Sequence, residues 1–188
     1  MIRWLMILLV GLVLGAIVHL STIILLPLTA TRDAYARLTP LAPVNTMTVL
    51  AESAPADALM PFMDPAFANA VCRYDLSNGP LKFTAPVSIA YTSVTFYTRR
   101  DIAYYAINDR AAGRRVIELE LMTSDQRAEL PEDEDITAAD RLIVESPTTT
   151  GLIALRALAP EPGLMPTARA AVQAARCVAE PPQPQSSR

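Results

Sequence analysis

The sequence predicts an α+β chain: one N-terminal transmembrane helix, then a β-rich exported domain (antiparallel meander or sandwich) with a C-terminal helix. Three observations carry this expectation. Trp4 to Leu28 holds no charged residue; as a helix it would be roughly 37 Å long at about 1.5 Å per residue, enough to cross a hydrocarbon core of about 30 Å. Between Cys72 and Leu158, short runs rich in β-branched and aromatic residues are punctuated by Gly, Pro, Asn and Asp, the pattern of strands and turns. Pro166 to Cys177 is alanine-rich with proline in its first turn, a helix start.

Four segments follow: a span over 4–28, a Pro-rich stalk over 29–64, a β-rich domain over 65–178 and a polar, disordered tail over 179–188. The apolar run exceeds the roughly 7–15 residues of a signal peptide. Leu28-Thr29-Ala30 is a poor cleavage site, and the better one, Ala34-Tyr35-Ala36, lies beyond the run. An uncleaved anchor is the reading adopted over a signal peptide. Positive charge is nearly balanced across the span, so orientation rests on its early start and on the cysteines. Gly11 and Gly15 share a helix face and offer a homodimer contact through the span. His19, the single histidine, stands in the same helix.

In the stalk, Pro40, Pro43, Pro55, Pro61 and Pro65 exclude a long helix or a central strand. Asp33 to Leu38 extends the span by a turn or two, and Asn45 to Leu50 is a short strand. Asp64 caps a short helical piece from Pro65 to Val71. Cys72–Leu76 and Leu81–Thr84 read as strands. Ser88 to Thr98 is a central strand with apolar groups on both faces, Ile102 to Asn108 its hairpin partner, and Arg114 to Met122 the third strand of a meander. Val116, Glu118 and Glu120 alternate there with Ile117, Leu119 and Leu121. Thr123 and Gln126 have capping-box spacing for a short helix. Asp140 to Ser146 is a strand. Leu152 to Leu158 is a strand by pattern and a helix by Leu and Ala propensity.

Charge and composition exclude several functions. Outside the span, 15 basic residues face 19 acidic ones, a balance of −4, a poor match to nucleic acid. With two cysteines and one intramembrane histidine the domain cannot make a structural zinc site, a Ser-His-Asp triad or a His-activated thiol. No catalytic, cofactor or metal residue is assigned. The run 132–135 lacks the alternation and glycine of a calcium loop. Asp64, Asp75, Asp101, Asp109, Asp140 and Glu145 are the carboxylates available for acid/base work. Arg99, Arg100, Arg110, Arg114 and Arg115 form two loop groups, each suited to docking an acidic partner. Cys72 and Cys177 bracket the domain and suit a disulfide in an exported protein, with two free thiols as the alternative.

Cys72-Arg-Tyr-Asp-Leu76, the aromatic hairpin from Tyr91 to Tyr105, Ala106-Ile-Asn-Asp-Arg110 and the stretch from Asp140 to Arg156 resemble the bacterial family named domain of unknown function 1254, in its short, membrane-anchored form. The resemblance implies an envelope location, a β-rich reading of Leu152–Leu158 and a companion β domain, which longer relatives carry in the same chain. It brings no catalytic residues.

The expected function is a single-pass inner-membrane protein with its domain on the periplasmic side, acting as a non-catalytic interaction module with a companion envelope protein. One alternative is a carbohydrate- or lipid-binding module with Tyr91, Tyr97, Tyr104 and Tyr105 as an aromatic platform. Another is a carboxylate-dependent hydrolase.

Overall fold

The computed structural model describes residues 1–29, 33–51, 63–113, 115–130 and 142–180. They fall in two compact units, Met1–Asp33 and Ala34–Arg188. The first is helix α1, Ile2–Thr29. Its stretch Ile2–Leu26, of mean hydropathy 2.5 with none of it buried, is long and apolar enough to cross a membrane, a property an anchor shares with a signal sequence. The Thr22 hydroxyl donates to the Val18 carbonyl at 2.8 Å, so this polar group is satisfied within its own helix, as an apolar surrounding demands.

The second unit is two facing sheets around one core. Sheet I runs β1-β2-β8-β4-β5 and sheet II runs β7-β6-β3-β9. The strands are β1 Met47–Val49, β2 Phe67–Asp75, β3 Leu81–Pro86, β4 Thr92–Thr98, β5 Ala103–Asn108, β6 Val116–Thr123, β7 Leu142–Ser146, β8 Thr150–Leu158 and β9 Arg176–Ala179. All pairs are antiparallel except β6–β7. Alternation sets the core. Val94 and Phe96 of β4, Ile153 and Leu155 of β8, and Leu81 and Phe83 of β3 point between the sheets and are fully or almost fully buried. Each such side chain stabilises by about 1.5–3 kcal/mol relative to exposure. Helix α5, Met165–Ala174, adds Ala168 and Val172 to the same core.

Several elements differ from expectation. Phe67 to Val71 is strand, not helix. Asp64 Oδ1 accepts from the Ala66 amide, making a turn around Pro65, and the chain then pairs with β8 over nine residues. The meander is broken after β5. Asn108 caps the single turn α3 (Asp109–Ala112), Gly113 closes it in the left-handed region at φ 60, and β6 emerges in sheet II beside β3. The expected alternation in β6 holds for Ile117, Leu119 and Leu121, though Glu120 is buried as well. The capping box forms at α4 (Ser124–Ala128), and Gln126 also donates to the Leu76 carbonyl at 2.7 Å. Leu152–Leu158 is strand, the greater part of the central strand β8. The terminal helix stops at Ala174, so Cys177 lies on β9. The acidic run 132–135, Asp140, Arg114 and most of the tail lie outside the described residues.

Along its described length the 29–64 segment lies against the domain. Helix α2 (Ala34–Leu38), a turn through Pro40 and Pro43, and β1 form a strap that belongs to the domain. Both prolines sit where no ladder N–H is needed. Leu38 and Ala42 are fully buried against Val71 and Leu152. Asn45, at φ 54, adopts the left-handed conformation that asparagine tolerates. Its side chain exchanges hydrogen bonds with the Asp75 backbone at 3.0 and 2.8 Å.

Candidate interaction surface

The outward face of sheet I can be read directly from its register. Three outward rows cross β2, β8, β4 and β5: Asn69–Arg156–Ser93–Asn108, then Val71–Ala154–Thr95–Ala106, then Arg73–Leu152–Tyr97–Ala103. The strap covers the third row and part of the second. Arg73, 9% exposed, donates through Nη1 to the carbonyls of Thr39 and Ala42 at 3.2 and 3.1 Å. Its Nε has no partner among the described residues. The Tyr35 ring of α2 receives two guanidinium groups, Arg73 at 4.6 Å and Arg99 at 4.1 Å from the centroid, within the range of cation–π attraction. From the β4–β5 loop, Asp101 Oδ2 accepts from the Ala34 amide at 3.0 Å.

The first row is open. Arg156 is exposed in the middle of the face, with its guanidinium 4.7 Å above the Phe67 ring. A shallow, open concavity of about 310 Å³ lies here, lined by Arg156, Phe67, Tyr91, Ser93, Thr95 and Asn108 among others. Next to it runs β5, an edge strand of the sheet.

The four tyrosines of the expected platform do not share a face. The register of the β4–β5 hairpin shifts at Phe96/Tyr97, so Phe96 opposes Tyr105 while Tyr97 opposes Ala103. Tyr104 is the extra residue of a bulge. The bulge turns both Tyr104 and Tyr105 toward Phe96, with centroids at 6.2 and 5.8 Å. Tyr97 packs instead with the strap, and Tyr91 is 40% exposed at the rim of the open half. Burial raises the Tyr104 hydroxyl above its ordinary pKa, with further effects from Ser146 and Tyr74; burial raises Tyr105 too. Tyr74, fully buried, shares its hydroxyl with Tyr97 O, Tyr104 Oη and Ser146 Oγ at 3.1, 3.2 and 3.0 Å. Gly151 makes room for it, since a Cβ there would collide with the Tyr74 ring and the Tyr97 carbonyl. These hydroxyls bind one another at the border of the core.

Over residues 44–179 the chain matches the family described as protein of unknown function DUF1254. It belongs to that family. The DUF1254 fold is similar to the crystal structure of the VPA0106 protein from Vibrio parahaemolyticus, with a TM-score of 0.57 and 13% identity over 84% of this chain and 38% of that one. A weaker similarity, with a TM-score of 0.47 and 14% identity, links it to an uncharacterised protein from Burkholderia cenocepacia, over 70% of this chain and 36% of that one. The chain thus spans little more than a third of either solved chain's length. No curated protein matches it.

The remaining candidates of the DUF1254 chain are dispersed. Cys72 on β2 and Cys177 on β9 stand at disulfide distance, with Cα atoms 6.4 Å apart, which would join the two sheets rather than a helix to a strand. The carboxylates serve local structure. Hydrogen bonds from the Ser77 side chain and backbone hold Asp75 below the ordinary carboxylate value. Asp109 accepts from the Thr92 amide at 3.4 Å, and Glu145 pairs with Arg127 at 3.3 Å. Among the described residues no three of His, Cys, Asp and Glu are grouped to hold a metal ion. Arg100, Arg110 and Arg115 are exposed loop charges. Gly11 and Gly15 face open space on α1.

Arg73 and Arg156 were not singled out from the sequence. A signal existed for Arg156: it is the one charge in the strand β8.

Proposed function

We propose that this DUF1254 chain is a single-pass protein of the bacterial inner membrane whose periplasmic sandwich is a non-catalytic interaction module for a companion β domain. The observation that carries this reading is the 38% coverage of the Vibrio chain: there the same fold shares its chain with a larger remainder. The edge strand β5 supports it, because an unpaired row of N–H and C=O groups is a template for strand addition. The cysteine pair at disulfide distance supports an oxidising compartment, and the apolar helix supports anchoring.

The test is cross-linking of the full, tagged chain at native expression level in its own membranes, followed by detergent solubilisation. A stoichiometric second envelope protein should co-purify, with cross-links to β5. A chain that runs as an isolated monomer, cross-linked or not, contradicts the proposal. Fusing alkaline phosphatase after Glu180 should give an active reporter, and an inactive one would contradict the periplasmic placement.

A further inference from the structure

We infer that the open half of the outward face of sheet I is a subsite for a carboxylate-bearing saccharide, with Arg156 as its anion-binding residue. The inference stands independently of a companion domain.

Arg156 sits on the central strand β8, flanked in register by Ser93 on β4 and Asn69 on β2. Its guanidinium carbon stands over the Phe67 ring, 4.7 Å from the centroid, within the range of cation–π attraction. No carboxylate pairs with it among the described residues. A guanidinium without a carboxylate partner presents a two-pronged donor edge that fits a carboxylate. Arg73, two rows away, has no such freedom because its Nη1 is engaged by two backbone carbonyls.

The surroundings select what carries the carboxylate. The Ser93 and Thr95 hydroxyls make no side-chain hydrogen bond among the described residues. Asn108 uses its Oδ1 on the Ala111 amide, which leaves its NH2 group for a ligand. These short neutral groups match sugar hydroxyls. The half-exposed Tyr91 supplies a ring face at the rim, suited to the apolar face of a pyranose. A volume of about 310 Å³ is at the small end for ligand sites, which run from about 300 to 1,000 Å³. An acidic protein surface is a poorer occupant. The chain outside the span is itself net acidic and repels a like-charged macromolecule at long range, whereas one local cation accommodates one carboxylate.

The test uses the detergent-solubilised full chain and saturation-transfer NMR. The probes are methyl β-D-glucuronide and methyl β-D-glucoside, which differ only in the carboxylate. The glucuronide should bind at least roughly tenfold more tightly than the glucoside. Arg156→Gln should lose that preference with an unchanged melting transition, and Arg156→Lys should keep part of it. Equal binding of the two sugars, or an Arg156→Gln variant that binds like the wild type, would overturn the inference. Acetate binding as tightly as the glucuronide would overturn its saccharide part. An Arg156→Gln chain that keeps its companion but loses the glucuronide leaves the interaction reading intact. A wild-type chain that binds glucuronide but has no companion leaves this inference intact and removes the other.

Discussion

Two arginines on the same sheet face have opposite surroundings. Arg73 on β2 is roofed by the strap, donates to two carbonyls of that strap and stacks on its Tyr35. Arg156 on the neighbouring strand β8 is open to solvent, with its guanidinium over Phe67 and no carboxylate partner among the described residues. The outward face of sheet I is therefore divided. One half is closed by the chain's own residues 34–50, and the other offers a cation, neutral hydrogen-bonding groups and the Tyr91 ring to an outside ligand. The first half is built for stability and the second for binding, so substitutions should separate the two.

The largest effect should come from behind both halves. Replacing Cys72 and Cys177 together by serine should remove about 4–5 kcal/mol by the chain-entropy model for a loop of this length, measured by denaturant unfolding. A change below about 1 kcal/mol would mean the pair does not bond in the protein. Leu38→Ala removes the fully buried anchor of the strap and should destabilise by about 2–5 kcal/mol. Arg73→Ala leaves the Thr39 and Ala42 carbonyls without their donor and should lose about 1–3 kcal/mol.

The inner face should respond to alkali. Tyr104 has its pKa raised by burial, so its proton stays on in the folded chain. In the unfolded chain the proton leaves near the ordinary value of about 10. Above that pH the unfolded state binds fewer protons, and stability falls as pH rises. Tyr104→Phe should flatten the decline between about pH 10 and 11, where the wild type loses at most about 1.4 kcal/mol per pH unit from this group. The smallest effect belongs to the open half. Arg156→Ala should change stability by less than about 0.5 kcal/mol. A loss equal to that of Arg73→Ala would erase the distinction between the halves.

Much of the β domain was legible because period-2 alternation survives in β4, β6 and β8 and because turn residues bound the strands. The capping box at Thr123 and Gln126 was legible for the same reason: it is local. Failures arose where distant contacts decided. Phe67–Val71 has weak local preference, and the nine-residue pairing of β2 with β8 sets it as strand. The β4–β5–β6 meander looked continuous because the sequence does not announce that the turn at α3 carries the chain to another sheet. The proline-rich stretch reads as a stalk, and that Leu38 and Ala42 fill space over β2 and β8 is something no local pattern reveals. The tyrosine platform depended on strict alternation, which the bulge at Tyr104 breaks. The binding half was hidden in the same way, since its residues come from β2, β4, β5 and β8.

Arginine labelling of the full, detergent-solubilised chain with phenylglyoxal, read by mass spectrometry, tests the divided face most directly. Arg156 should be modified rapidly and protected by methyl β-D-glucuronide, while Arg73 stays unmodified until the domain unfolds. Equal labelling of Arg73 and Arg156 in the folded chain, or no protection of Arg156 by the glucuronide, would contradict it.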